Sequence, residues 1–106
     1  MTRMDKATRE RLRKAGFVET TVAEFLNLTP EEEALVETRV ALTRRVRQVR
    51  EERGLTQAQV AKLVGSSQSR IAKMEATDRT VSLDMMIRTL FSLGQTPKQV
   101  GRAMAG

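Results

Sequence analysis

The segment from Gly54 to Glu75 constrains the fold of this chain more than any other. It predicts two short helices that meet at Gly65, because a turn with positive φ costs glycine nothing. Ala61 lies where two helices joined in this way approach too closely for a larger side chain. Ile71 points back from the second helix into the space between the helices, and the apolar residues that face it are Val60, Leu63 and Val64. The segment therefore predicts a tightly packed pair of helices.

The start of the second helix carries hydrogen-bonding side chains that suit a nucleic acid. Gln68 can bond bidentately to adenine, and Arg70 can take either guanine or a phosphate. For Ser69, contact with DNA and simple solvation remain equally open. Ser67 is expected to be a helix cap rather than a base contact, although one residue can fill both roles. Lys73, one turn further on, is either a phosphate contact or an ordinary solvated lysine.

Composition limits the kinds of protein that this chain can be. Its 106 residues suffice for one compact domain, and its formal net charge of +6 favours a polyanionic partner. Residues 54–106 carry seven basic and three acidic residues, so most of the excess lies with the helix pair and the residues after it. Without Cys or His, the chain has no disulfide, no thiolate or imidazole metal site and no histidine base.

Neither catalysis nor a membrane location is expected. Ser69 and Lys73 lie one helical turn apart, but no oxyanion hole accompanies them, so we predict no catalytic residue, no metal and no cofactor. The amino terminus is crowded with charge, which does not fit a signal peptide, and no apolar run is long enough to span a bilayer. We expect a soluble protein of the bacterial cytoplasm, associated with the nucleoid.

Capping signals place further helices on both sides of the pair. Thr29, Pro30 and Glu32 begin a helix that meets no breaker before Gly54, a rod of roughly 36 Å. Its predicted apolar positions are Leu35, Val36, Val40, Leu42, Val46 and Val49. Ser82 begins another helix with a predicted core stripe of Leu83, Met86, Ile87, Leu90 and Phe91. Thr96 begins a last, short one, and residues 5–15 favour a helix by propensity.

Across residues 38–94 the chain resembles the Cro- and lambda-repressor-like family of helix-turn-helix regulators, also called the XRE family. The residues that carry the resemblance are Arg50, Arg53 to Gln57, Ala61, Gly65, Ser67 to Ser69, Ile71, Glu75 and Val81 to Leu83. One departure is Ser66, where the family usually has an apolar residue. The resemblance implies an all-α, lambda-repressor-like five-helix domain over residues 29–106, with an extended first helix and the helix-turn-helix at 57–75. Residues 1–28 would form a short helical extension.

The same resemblance implies roles for individual residues in a sequence-specific, DNA-binding repressor. A glutamine like Gln57 lies against the DNA backbone, and one like Gln68 lies at a base edge. Arg79 falls in the loop after the second helix, where family members commonly touch the backbone. Helical geometry spreads the other arginines of the long helix around it, and either Arg50 or Arg53 is expected to pair with Glu75.

A narrower resemblance covers the region upstream of the helix pair. The run from Val22 through Phe25 to Glu32, leading into Leu42 and Arg50, is similar to small antitoxins of the Hig type. These are encoded beside a RelE-like ribonuclease toxin, so the implied protein is a homodimer that represses its own operon and neutralises a RelE/HigB-like toxin. The expected partner-binding residues are Leu12, Phe17, Val22 and Phe25.

Two questions stay open on the sequence. A phage or restriction-system regulator of the same family with no toxin partner is the alternative to an antitoxin. For the homodimer, the last helix is the first candidate surface, through Val100, Ala103 and Met104, and the region 17–22 is the second.

Overall fold

The computed structural model describes residues 27–106, which form five α-helices and no strand. The helices are α1 (Pro30–Glu52), α2 (Gln57–Val64), α3 (Gln68–Glu75), α4 (Leu83–Ser92) and α5 (Pro97–Met104). The predicted all-α architecture is confirmed for this range. The helix predicted at residues 5–15 lies outside it, as do the expected partner-binding residues Leu12, Phe17, Val22 and Phe25. The chain divides into two compact units, residues 1–37 and 38–106, and the division falls within α1.

Each helix begins at a side chain that caps its free amides. At the start of α1, Thr29 Oγ1 accepts from the Glu32 amide at 3.2 Å, and the Glu32 carboxylate accepts from the Thr29 amide at 3.1 Å. Thr56 and Thr96 form the same reciprocal pair with a glutamine three residues on. Ser67 and Ser82 cap α3 and α4 through the hydroxyl alone. The predicted start signals are therefore confirmed.

Four helices end in one motif, in which a single residue adopts positive φ. The amide of the next residue then donates to the carbonyl five residues earlier, as from Ser66 to Ala61 at 2.8 Å and from Asp78 to Lys73 at 2.9 Å. The residues at positive φ are Gly54 (66°), Gly65 (75°), Thr77 (57°) and Gly94 (89°). Thr77 stands out, because a β-branched residue is disfavoured in this conformation.

Replacing Thr77 with glycine should therefore stabilise the protein. Relief of the left-handed strain outweighs the extra entropy that glycine has in the unfolded chain, for a net gain of about 0.5–1 kcal/mol. Urea unfolding followed by circular dichroism measures the change. Ala76→Gly is the matched control: φ is −86° at that position, so glycine relieves no strain there and should destabilise slightly. A lower midpoint for Thr77→Gly would contradict the argument.

The core of residues 38–106 draws on all five helices. Its fully buried side chains, each with less than 2% exposed, are Leu42, Val46, Val60, Ile71, Met74, Met86, Thr89, Leu90 and Leu93. Val60, Ala61, Val64 and Ile71 pack between the helices as predicted. Leu63 does not: it is 57% exposed, because at 100° per residue it lies roughly 100° around α2 from the stripe that its three neighbours form.

The predicted core stripe of α4 is wrong in part. Met85, Met86, Thr89 and Leu90 are the buried residues, whereas Phe91 is 45% exposed. Leu83 and Ile87 are only partly buried. Thr89 takes a core position because its hydroxyl donates to the Met85 carbonyl at 2.7 Å, which removes the cost of burying it. Because the polar Thr89 is one of the buried residues, the apolar pattern of α4 indicated a different face of the helix from the one that is buried.

Candidate DNA-binding surface

Helix α3 has one buried face and one exposed, polar face. Ile71 and Met74 are both 0% exposed and anchor the helix in the core. The predicted contact residues Ser67, Gln68, Ser69, Arg70 and Lys73 are all exposed on or at the start of the same helix. In the part of the chain that the structure describes, the side chains of Gln68 and Ser69 form no hydrogen bond. They are available to a ligand at this edge.

Ser67 fixes where α3 begins. Its φ of −101° and ψ of 154° are those of extended backbone, and its Oγ accepts from the Arg70 amide at 3.1 Å. The capping role predicted for Ser67 is confirmed. The hydroxyl hydrogen still remains for a further acceptor, since capping uses only the oxygen lone pair.

Gln57 is less exposed than the residues of α3. It is half-buried at the first position of α2, and its Nε2 donates to Glu75 Oε1 at 3.3 Å. This bond ties the first turn of α2 to the last turn of α3. The carboxamide is thereby held in one orientation and keeps its oxygen as an acceptor.

A bidentate ion pair lies beside that bond. Arg50 Nε and Nη2 donate to the Glu75 carboxylate oxygens at 2.6 and 3.0 Å, and Nη1 donates to the Leu55 carbonyl at 2.9 Å. The two side chains are only 16% and 6% exposed. The hydrogen bonding of its guanidinium to the Glu75 carboxylate is the main reason that the pKa of Arg50 is raised above its ordinary value. The pair holds α1, the α1–α2 turn and α3 together.

Of the two arginines expected to pair with Glu75, only Arg50 does so. The guanidinium of Arg53 lies over Gly94, where a Cβ added to the glycine would stand 2.6 Å from Arg53 Nη2. A side chain at position 94 would therefore require the Arg53 guanidinium to move, and Arg53 forms no bond to Glu75 among the described residues.

Arg79 is exposed in the loop that joins α3 to α4, residues 76–82. The loop is ordered by Asp78, whose carboxylate accepts from the Thr80 hydroxyl at 2.6 Å and the Thr80 amide at 2.8 Å. The hydroxyl bond is the largest of the effects that lower the pKa of Asp78. The side chain of Arg39, from α1, donates to three carbonyls of the same loop.

Arg39 has no local sequence signal that singles it out. Its partners lie 39 to 42 residues further along the chain, at Asp78, Arg79 and Val81. By sequence it is one of several arginines in a long helix. No local spacing distinguishes an arginine that bonds to a distant part of the chain from one that is only solvated. Only the packing of α1 against the loop could identify it.

Residues 46–88 match the family model described as Helix-turn-helix. The match runs from the last third of α1 into α4 and includes α2 and α3 completely. It confirms the lambda-repressor-like fold and supports a DNA-binding regulator of transcription. No match was found among curated proteins or among solved structures. The exposed residues at the start of α3 therefore belong to the second helix of a helix-turn-helix.

Three further observations on residues 27–106 concern a membrane span, a metal site and a cavity. No helix in this range is both long and apolar enough to cross a bilayer, and no three acidic side chains cluster as metal ligands do. An open cavity of about 340 Å³ lies between α1 and α5 and takes no residue from the helix-turn-helix. It is lined by Arg45, Gln48, Gln99, Arg102 and Ala103.

Proposed function

We propose that this protein is a sequence-specific transcriptional repressor that binds operator DNA as a homodimer. The observation that carries the proposal is the two-sided character of α3. Ile71 and Met74 are completely buried, and the helix presents Gln68, Arg70 and Lys73 to the exterior. A helix placed in this way can enter a major groove without disturbing the core.

The exposed residues divide by chemistry into those that read bases and those that hold the backbone. We assign base contacts to Gln68 and Arg70, whose side chains can bond bidentately to adenine and to guanine. Lys73 and Arg79 supply point charges for phosphates, and Gln57 offers its fixed carboxamide to the backbone. Ser67 and Ser69 add hydroxyls at the helix start. Because phosphate contacts release counterions, binding should weaken steeply with salt.

A homodimer would place two copies of α3 in successive major grooves, about 34 Å apart on a pseudo-palindrome. The surface first predicted for the dimer contact needs correction, because Val100 is 5% exposed and belongs to the core. Met104 at the end of α5 is 44% exposed and remains available. Sedimentation equilibrium with wild type and Met104→Ser tests whether α5 contributes to the contact.

The experiment that tests the repressor proposal is a competition between two duplexes. The protein is titrated by fluorescence anisotropy against a labelled fragment of its own promoter and against a scrambled duplex of the same length and composition. A specific regulator binds its site at least a thousandfold more tightly than non-specific DNA. Equal affinity for the two duplexes would refute sequence-specific repression.

The base and backbone assignments predict different effects for two substitutions on α3. Gln68→Ala should reduce the preference for the promoter by roughly 5- to 150-fold, since one bidentate base contact is worth about 1–3 kcal/mol. Lys73→Ala should weaken binding to both duplexes alike and lower the salt slope by about one. Lys98→Ala, an exposed lysine of α5 outside the matched segment, is the control and should change neither. A uniform loss from Gln68→Ala would remove it from the base contacts.

We further propose that the regulator is the antitoxin of a toxin–antitoxin operon. This rests on the similarity of the upstream residues to Hig-type antitoxins. Leu12, Phe17, Val22 and Phe25, outside the described residues, are the proposed contacts with a RelE/HigB-like toxin. The alternative, a phage or restriction-system regulator, has no such partner.

Co-expression with the product of the adjacent gene separates the two functions. An antitoxin should co-purify with a small basic ribonuclease and suppress its activity. A variant that lacks residues 1–28 should lose the toxin and keep the promoter fragment. Retention of the toxin by that variant would show that the contact surface lies elsewhere, and the absence of any such partner would favour the alternative.

A further inference from the structure

One guanidinium nitrogen of α1 organises the loop after α3. Arg39 Nη2 lies 3.3 Å from the Asp78 carbonyl oxygen and 3.3 Å from that of Arg79, and it also bonds the Val81 carbonyl. Nη2 carries two hydrogens, so the three carbonyls share them. Arg39 is half-buried. The cation therefore sits where three backbone dipoles converge.

A cation at this place favours the observed shape of the loop. Three carbonyl oxygens that point at one place repel one another, and a positive charge between them offsets the repulsion. Further hydrogen bonds of the loop join residues close in sequence: Thr80 donates to the Asp78 carboxylate, the Val81 amide donates to the Asp78 carbonyl at 3.2 Å, and the Asp78 amide donates to the Lys73 carbonyl at 2.9 Å. Thr77 at its start is strained, with φ of 57°. Arg39 ties the loop to α1 through hydrogen bonds.

We propose that Arg39 is a positioning residue for DNA binding, which holds the α3–α4 loop so that Arg79 meets the DNA backbone. Arg39 bonds the carbonyl of Arg79 itself and those of its neighbours, so the main chain at position 79 is fixed on both sides. A phosphate contact from a fixed backbone costs less ordering entropy than one from a mobile loop. This inference rests on the proposed DNA-binding function.

A double-mutant cycle between Arg39 and Arg79 tests the coupling. Arg39→Met, Arg79→Ala and the double variant are titrated with the promoter fragment at several salt concentrations. Arg39→Met alone should weaken binding about fivefold, but in the Arg79→Ala background it should have almost no further effect. Arg44→Met is the matched control, since it removes the same charge from the exposed side of the same helix. Its affinity should stay within about twofold of wild type.

The measured affinities show whether Arg39 acts by positioning Arg79 or through its charge and the overall stability of the protein. If the losses from Arg39→Met and Arg79→Ala multiply, or if Arg44→Met weakens binding as much as Arg39→Met, Arg39 acts through its charge or through overall stability and the proposal is wrong. If wild type itself fails to prefer its promoter, the proposed function fails first. Should Arg39→Met unfold, Arg39→Lys replaces it in the same cycle, with a smaller loss and the same coupling.

Amide hydrogen exchange provides a measurement without DNA. Arg39→Met should raise the exchange rates of the Thr80 and Val81 amides about tenfold relative to Arg44→Met, because both amides belong to the loop that Arg39 holds. Amides in the middle of α4 should keep their protection. Unchanged rates at Thr80 and Val81 would show that the loop holds its shape without Arg39, and the proposal would fail even if DNA binding were lost.

Discussion

Glu75→Ala is expected to lower the free energy of unfolding by about 3 kcal/mol, a large fraction of what a domain of this size has. The substitution leaves Arg50, only 16% exposed, without the carboxylate that accepts two of its hydrogen bonds. An uncompensated charge in such a place costs more than the ion pair contributes, because the arginine cannot recover its full hydration. Urea unfolding at neutral pH measures the loss.

Two further variants show whether charge or shape is responsible. Glu75→Gln keeps the volume and one acceptor for Arg50, and should lose about half as much stability as Glu75→Ala. The double variant Arg50→Met/Glu75→Leu removes both charges and should recover most of the loss, since no buried charge is left unpaired. A loss below about 1 kcal/mol for Glu75→Ala would show that Arg50 finds water in the folded protein.

The sign of the pKa shift fixes how pH acts on this pair. The hydrogen bonds to Glu75 raise the pKa of Arg50 above its ordinary value, so the contribution of this group to stability is complete below that ordinary value and is lost only as pH rises through the still higher folded value. Asp78 behaves in the opposite sense. Its pKa is lowered from 3.8, so its contribution is present above 3.8 and is lost as pH falls through the lower folded value. Near neutral pH both groups keep their native charge.

The helix boundaries and the helix-turn-helix could be predicted from the sequence because the interactions that set them are local. Ser67 and Thr96 cap helices through bonds to amides three residues away, and Gly65 closes α2 through its own backbone angle. Such signals lie within a few neighbouring letters. They also located the exposed edge of α3, because Ile71 fixed which side faces inward.

The predictions that failed concern which apolar residues are buried, and the contacts that were not predicted join residues far apart in the sequence. Phe91 follows the helical period of α4 but lies on its outer side, and Thr89 takes the core place through a bond to its own helix. Leu63 is apolar but exposed, because it lies to one side of the buried stripe on α2. Arg39 and Gln57 meet their partners 39 and 18 residues away, respectively. No spacing rule relates residues that far apart. Helical periodicity therefore cannot identify which residue is the partner of Arg39 or of Gln57.

Helix α1 allows one substitution to be compared in two environments. Leu42→Ala should destabilise the protein by about 3 kcal/mol, since Leu42 is 0% exposed and a leucine truncated in a packed core leaves a cavity. Leu35→Ala should cost about 0.5 kcal/mol or less, since Leu35 is 47% exposed on the same helix and alanine favours helix. Chemical denaturation of both variants, with equal m-values, gives the comparison.

The difference in burial between Leu35 and Leu42 indicates how much of α1 belongs to the DNA-binding domain. Leu42 precedes the matched segment at 46–88 but is as deeply buried as any residue within it, so α1 contributes a turn to the core that the family match does not include. Helix α1 has 23 residues, a length of about 35 Å, and its buried residues all lie from Leu42 onward. Equal losses for Leu35→Ala and Leu42→Ala would mean that the first turns of α1 are also covered in solution, and would make them the first place to seek a second protein surface.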